Sequence, residues 1–238
     1  MVVPTDPRTV PDGANGGTKP SSIERIRRLE TLEQERPADR DAKINNLPIG
    51  EEQKLTPADA VATPSGHTPE GGVLVGDADA SHQMILFEDP QCPYCRQFEE
   101  LNGAAIAVAR DAGQLVVEYR MRCFLGAESV RADNALALAA EAGRFDELRQ
   151  ALFSEQPPEG SGGFTSEDLL RIGAQVGLTG SDYVAGVRAA RYEKWVLQRE
   201  HAYRTQDPQG TPAAWLDGEQ LDPGVLFDAG QLERRLRA

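Results

Sequence analysis

The chain has 238 residues, a formal net charge of −13 and only three cysteines, with 39% hydrophobic and 26% charged residues. That length can bury a core without metals or a framework of disulfides. The negative balance excludes a general nucleic-acid binder, which needs a basic footprint, and no apolar run approaches the about 20 residues of a stable membrane insertion.

Residues 1–20 are rich in Pro, Gly, Thr and Asp, lack hydrophobic periodicity and read as disordered. Their start, Met1-Val2-Val3-Pro4-Thr5-Asp6, lacks the basic residues and apolar stretch of a secretory leader. As written the chain therefore reads as cytoplasmic, and as extracytoplasmic if a leader has been removed. Ser21 or Ser22 can cap a short helix over 21–36, where Ile23, Ile26 and Leu29 keep helical spacing. Polar, Pro and Gly residues then form a linker. Residues 1–71 are thus an extension, and the folded domain is expected over 72–238.

Val73-Leu74-Val75 can form a short strand. Met84-Ile85-Leu86-Phe87 is a continuous apolar run between polar residues, as a strand covered on both faces requires. Glu88-Asp89-Pro90-Gln91-Cys92-Pro93-Tyr94-Cys95 follows. From Pro93 the period turns helical, with Phe98, Leu101, Ala105 and Val108 on one expected face and Gly113 as the stop. Leu115, Val117, Tyr119 and Met121 then alternate with polar or smaller residues, giving a second main strand and a βαβ unit. A helical block is expected over about 126–206. It begins with the stripe Ala132, Leu136, Ala139, continues with Phe145, Leu148, Leu152, then Leu169, Ile172, Val176 after a capping box at Thr165 and Asp168. Ser181 is expected to cap a last helix that carries Tyr183, Val187 and, further on, Trp195. After Gly210-Thr211-Pro212, Ala213–Leu216 and Glu219–Leu221 flank the hairpin signal Asp217-Gly218, and Leu232 and Leu236 suit a closing helix.

Chemistry concentrates at Cys92 and Cys95. Disulfide exchange needs a thiolate at working pH and a second sulfur close enough to displace a mixed disulfide. A C-x-x-C pair at a helix start supplies both. Cys92 precedes the first turn, where free N–H groups and the positive helix end favour negative charge and lower its pKa. Pro93 fits the first helical position, which needs no N–H. Cys95, on the same side of the helix and more buried, suits the resolving role. A structural disulfide and half a zinc site are the alternatives. Zinc needs two further ligands, and Cys123, His67, His82 and His201 are scattered singly. Glu88 or Asp89 is a candidate semi-buried acid that moves protons to or from Cys95, and Glu88 is counted among the catalytic candidates. Cys123 reads as a small buried hydrophobe.

The stretch Phe87-Glu88-Asp89-Pro90-Gln91-Cys92-Pro93-Tyr94-Cys95-Arg96-Gln97-Phe98 resembles the active-site segment of the DsbA-like branch of the thioredoxin superfamily. Gly126-Ala127-Glu128-Ser129 and Ala151-Leu152-Phe153 resemble its helical region, and Gly210-Thr211-Pro212 its cis-proline loop. The resemblance covers about residues 72–238. It implies an α/β thioredoxin-like fold (βαβ…ββα) with an inserted α-helical subdomain, and thiol-disulfide oxidoreductase activity. It further implies a cis Thr211–Pro212 peptide facing Cys92, with the Thr211 backbone free to pair with an extended substrate segment. The substrate would be a cysteine-containing protein or a low-molecular-weight thiol conjugate. No organic cofactor or metal is implied, and the redox partner is unknown. Pro93-Tyr94 departs from the Pro-His of the DsbA-type oxidant and matches glutaredoxins, so a less oxidising protein than the type member is expected. A glutaredoxin-like reductase, a glutathione-transferase-like isomerase of the same branch and a non-catalytic thioredoxin-fold binding module are the rival readings.

Overall fold

An apolar strand such as Met84–Phe87 must be covered on both faces, and it obtains that cover as the middle strand of a mixed sheet. The computed structural model describes residues 63–204 and 210–237, so the helix expected over 21–36 lies outside the described residues, as does most of the linker. Five strands run in the order β1-β3-β2-β4-β5: β1 (Val73–Gly76), β2 (His82–Glu88), β3 (Leu115–Met121), β4 (Ala213–Leu216) and β5 (Glu219–Gln220). β2 and β3 are parallel, with Met84 opposite Val117 and Leu86 opposite Tyr119. The other pairings are antiparallel. Leu86, Leu115 and Val117 are fully buried, and Met84 and Tyr119 nearly so.

Helix α1 (Pro93–Asp111) joins β2 to β3, completing the βαβ unit. Between β3 and β4 come α2 (Ala127–Glu141), α3 (Phe145–Ser154), α4 (Ser166–Gln175), α5 (Ser181–Ala189) and α6 (Glu193–Arg204); α7 (Pro223–Leu226) and α8 (Ala229–Leu236) follow β5. The order βαβ, helical block, ββα is the one expected. The hairpin turn between β4 and β5 places both Asp217 (φ 51) and Gly218 (φ 84) in the left-handed region, as a two-residue hairpin loop requires. At α4, Thr165 Oγ1 accepts from Asp168 N at 3.2 Å while Asp168 Oδ2 accepts from Thr165 N at 3.1 Å, so the capping box forms in full.

Several local expectations are corrected. The buried stripe of α1 is Cys95, Phe98, Asn102, Ile106 and Ala109, one helical step round from the expected one. Leu101 is 37% and Val108 65% exposed. The polar Asn102 disguised the true stripe. It is buried because its Nδ2 donates to the Leu226 carbonyl at 2.8 Å, which ties α1 to α7, an element that had not been anticipated. The expected last helix of the block is two helices. Ala190 (φ 51) ends α5 in a left-handed turn, and no glycine marked that break. The N-cap of α5 is Gly180, with Ser181 its first helical residue.

Helix α2 is buried from Ala127 through Ala140, not along one stripe. Its alanines let neighbouring helices approach, and its polar residues are paired. Arg131 donates to the Gly163 and Phe164 carbonyls at 2.8 Å each. Asn134 Oδ1 accepts from Tyr192 N at 2.7 Å, and Asp133 pairs with Arg199. Arg199 also donates to the Met121 and Gly71 carbonyls at 2.9 and 3.2 Å, joining α6 to the sheet.

Between α4 and α5 the backbone approach is set by Gly173. A Cβ there would lie 2.6 Å from Tyr183 Cε1, and the Tyr183 ring is fixed by burial and by donation to the Leu169 carbonyl at 3.1 Å. Alanine would gain about 0.5–1 kcal/mol of helix preference, against an overpacking cost of about 1–3 kcal/mol. Gly173→Ala is expected to lower stability by about 1–2 kcal/mol in urea denaturation. A variant more stable than the parent would mean that Tyr183 yields freely and that this contact does not constrain the pair.

Candidate active site

Strand β2 delivers the chain into a tight turn. Cys92 N donates to the Asp89 carbonyl at 2.9 Å, and Cys92, in extended backbone (φ −69, ψ 116), is the N-cap of α1 with Pro93 after it. Cys95 N and Arg96 N both donate to the Cys92 carbonyl, at 3.1 and 3.2 Å. The cap side chain makes no hydrogen bond of the usual capping kind, so the Cys92 sulfur is left at the mouth of the helix among the first-turn amides. Cys92 is 5% exposed and Cys95 fully buried, both as free thiols packed with Phe153 and Leu125.

The two sulfurs behave oppositely. The neighbouring Cys95 thiol, with help from the N–H groups of Cys95 and Tyr94, brings the Cys92 thiol down to about 6 although burial opposes it. Burial pushes Cys95 well above its ordinary value, and the neighbouring Cys92 sulfur, its charge and the Glu88 charge act in the same direction. The Thr211–Pro212 peptide is cis, and the Thr211 carbonyl accepts from Cys92 Sγ at 3.3 Å. The cis-proline loop therefore does abut Cys92. Tyr94 is 61% exposed and meets Phe227 edge-on, with ring centroids 6.2 Å apart.

Glu88 and Asp89 are adjacent and fully buried, yet their surroundings differ. Both Glu88 oxygens accept from Arg149, at 2.6 and 2.7 Å, and Arg149 Nη2 also donates to Glu99 at 2.7 Å. Burial still pushes Glu88 up to about 6 against that pull. Asp89 has only neutral donors: Ser129 Oγ at 2.5 Å, Gln91 N at 2.9 Å and Leu125 N at 3.3 Å. Burial lifts it to about 8 despite those bonds, and the charge on Cys92 adds to the rise.

Several residues at this site had no role assigned from the sequence, although Gln91, Ser129 and Phe153 stand within the stretches of resemblance. Gln156 Nε2 donates to the Pro90 and Cys92 carbonyls at 2.8 and 3.0 Å. Gln91 Nε2 donates to Ser129 Oγ at 3.0 Å, and Gln91 Oε1 accepts from Gly160 N at 3.0 Å. Arg149, Phe153, Gln156 and Ser129 belong to the helical block, and only the fold brings them to the cysteine pair; Gln91 alone is a sequence neighbour. The remaining sequence candidates lie elsewhere. Cys123 is fully buried with Val130, Ala137, Trp195 and Val196. His67 packs edge-on against Trp195, and its burial holds it down at about 4. His82 pairs with Asp217 at 2.8 Å. Among the described residues no cluster of three or more His, Cys, Asp or Glu is arranged to hold a metal ion, and no helix is long and apolar enough to cross a membrane.

Comparison with known proteins fits this geometry. The chain is 26% identical over 157 residues to the thiol:disulfide interchange protein DsbA of Yersinia pestis, covering 65% of this chain and 75% of that one. It is 28% identical over 144 residues to the DsbA of Salmonella typhimurium, covering 59% and 69% respectively. The solved MdbA protein of Actinomyces oris shares the fold with a TM-score of 0.65 at 20% identity, covering 73% of this chain and 90% of that one. Residues 68–229 match the family model described as thioredoxin, and the chain belongs to that family, among its DsbA-like thiol-disulfide oxidoreductases.

Proposed function

We propose that this DsbA-like thiol-disulfide oxidoreductase exchanges disulfides with cysteine-containing proteins through Cys92 and Cys95, with Cys92 as the sulfur that meets the substrate. The observation that carries the reading is the contrast at the pair: Cys92 lies at the helix mouth with its pKa lowered to about 6, while Cys95 is sealed beneath it with its pKa raised. A thiolate held stable in the reduced state makes the disulfide a better oxidant. The favoured direction is therefore oxidation of the substrate, in a compartment that permits disulfides.

The steps balance. A substrate thiolate attacks Sγ of Cys92 in the Cys92–Cys95 disulfide; the S–S bond breaks, and Cys95 leaves as a thiolate that takes up a proton. The second substrate thiolate attacks the substrate sulfur of the mixed disulfide and expels Cys92 as the thiolate. Two electrons pass from the substrate dithiol to the cysteine pair. In the reducing direction the order reverses, and Cys95 resolves the mixed disulfide. Pro93 opens the helix without an N–H to satisfy. Tyr94 supplies an amide to the thiolate and an exposed ring beside the site. The Thr211 carbonyl next to cis Pro212 is the acceptor that an extended substrate strand would take over. The free edge at the Thr211 carbonyl suits an extended protein segment. Glu88 contributes its charge on the Cys95 side. Asp89, raised to about 8, is mostly neutral at pH 7 and leaves Cys92 as the anion of the site.

In an insulin-reduction assay, Cys92→Ser is expected to lose turnover by at least about a hundredfold, because the thiolate is the nucleophile. Cys95→Ser is expected to accumulate mixed disulfides at Cys92, visible by non-reducing electrophoresis. Turnover retained by Cys92→Ser would remove the assignment.

Asp89 gives a pH signature. Its pKa in the folded reduced protein, about 8, lies above that of an unfolded aspartate. Its contribution to stability is therefore full below about pH 4 and is lost as pH rises through about 8. Cys92, lowered to about 6, contributes in the opposite sense: its share is present at high pH and is lost as pH falls through 6. Asp89→Asn removes the Asp89 contribution. The stability of the reduced variant relative to the parent should rise steadily from pH 4 to pH 8 in urea titrations. A difference that stays constant across that range would contradict the assignment of a buried, proton-binding Asp89.

A further inference from the structure

The turn that presents Cys92 is held from outside its own strand and helix. Asp89 is bonded to Ser129 and Leu125. Gln91, 1% exposed, is bonded to Ser129, to the Leu125 carbonyl at 3.4 Å and to Gly160. The carbonyls of Pro90 and Cys92, on either side of Gln91, are both taken by Gln156. The helical block thus grips the turn along its length.

Gln156 occupies a particular place in that grip. It follows α3 by two residues, and its own N–H donates to the Phe153 carbonyl at 3.3 Å. Phe153 packs on both cysteines, so one helix end supplies an apolar floor to the sulfurs and a polar clamp to their backbone. The clamp is chemically unambiguous. Both partners are carbonyl oxygens, which only accept, so the amide nitrogen must face them and can spend one hydrogen on each. The Cys92 carbonyl is also the acceptor for Cys95 N and Arg96 N. Its orientation fixes the peptide plane that starts the helix, and so fixes where the Cys92 sulfur stands relative to the first-turn amides.

We propose that Gln156 is a positioning residue for Cys92, which from the end of α3 pins the peptide planes before Gln91 and after Cys92 and so keeps the sulfur over the N–H groups that stabilise its thiolate. The proposal rests on the reading of Cys92 as the attacking cysteine. Without the clamp the turn keeps its bonds through Asp89 and Gln91, so the fold survives while the sulfur gains freedom to leave the helix axis. Gln156→Ala removes the donors. Gln156→Glu keeps the size, but as a carboxylate it presents acceptors and a negative charge to two carbonyls and so acts against the geometry more strongly.

The test is the titration of Cys92 in the reduced full chain, followed by thiolate absorbance and, at the residue itself, by the pH dependence of alkylation read by mass spectrometry. Gln156→Ala is expected to raise the Cys92 pKa by about one unit, a tenfold loss in thiolate equilibrium, and Gln156→Glu to raise it further. The thermal stability of the oxidised variants is measured alongside. A merely structural glutamine would lower stability and leave the Cys92 titration where it was; that result in both variants, or titrations that superimpose with no loss of stability, overturns the proposal. Should Gln156→Ala not fold, the uncharged Gln156→Met, which keeps the length and removes the donors, carries the test alone, because the charge of Gln156→Glu acts on the thiolate directly. Failure here is distinct from failure of the underlying reading: the first shows as an unmoved titration with turnover still abolished in Cys92→Ser, the second as turnover that survives Cys92→Ser.

Discussion

The placing of a fully buried Cys95 against Cys92 at the mouth of α1 is the constraint on which the site depends. The Cys95 thiol is the largest influence that favours negative charge on Cys92, and burial keeps Cys95 itself from ionising. One residue pair thus divides into an anion and a proton holder. The first-turn N–H groups and the positive end of the helix reinforce the division. The buried strand β2 leads straight into the turn, and the floor formed by Phe153 closes the lower side.

That floor belongs to the inserted helices, and the rest of the site follows from how they are fastened to the sheet. Arg149, 1% exposed, donates to both oxygens of Glu88 and to Glu99, and its guanidinium stacks 4.3 Å over the Tyr119 ring. A buried ion pair of this kind is weak evidence for net stability. Its value here is placement: it registers α3 against β2, β3 and α1, the elements that meet at Cys92. Arg122 with Glu200, and Arg199 with Asp133, fasten α6 and α2 to the same ends of β2 and β3, where Met121 lies opposite Glu88. The helical block is therefore part of the active site's frame and not an appendage to it.

Much of this was legible in the sequence wherever the signal was local. The unbroken apolar run of β2, the cysteines opening a helix, the capping box at Thr165 and the hairpin at Asp217-Gly218 each express their structure within a few residues. Reading failed where tertiary contacts overrode local pattern. Asn102 is a polar residue in a core stripe because a distant carbonyl at Leu226 needs its donor, so the stripe on α1 was read one step out of phase. Ala190 breaks a helix without any breaker residue. At the site, Glu88 and Asp89 are indistinguishable in sequence, and only the arrival of Arg149 at one and Ser129 at the other separates them. Gln156, sixty-four positions from Cys92, is invisible until the fold closes.

The Pro93-Tyr94 pair places no positive charge beside Cys92, which argues for a milder oxidant than a Pro-His protein, whereas the neighbouring Cys95 thiol argues for an oxidant nonetheless. The balance is decided by one number, the standard potential of the Cys92–Cys95 couple, measured by equilibration with glutathione at pH 7. A thiolate stabilised as described predicts a value above about −230 mV, between that of a strong oxidant near about −120 mV and that of a reductase near about −270 mV. A value at or below about −270 mV would mean that the reduced pair is not stabilised, and would contradict the central claim.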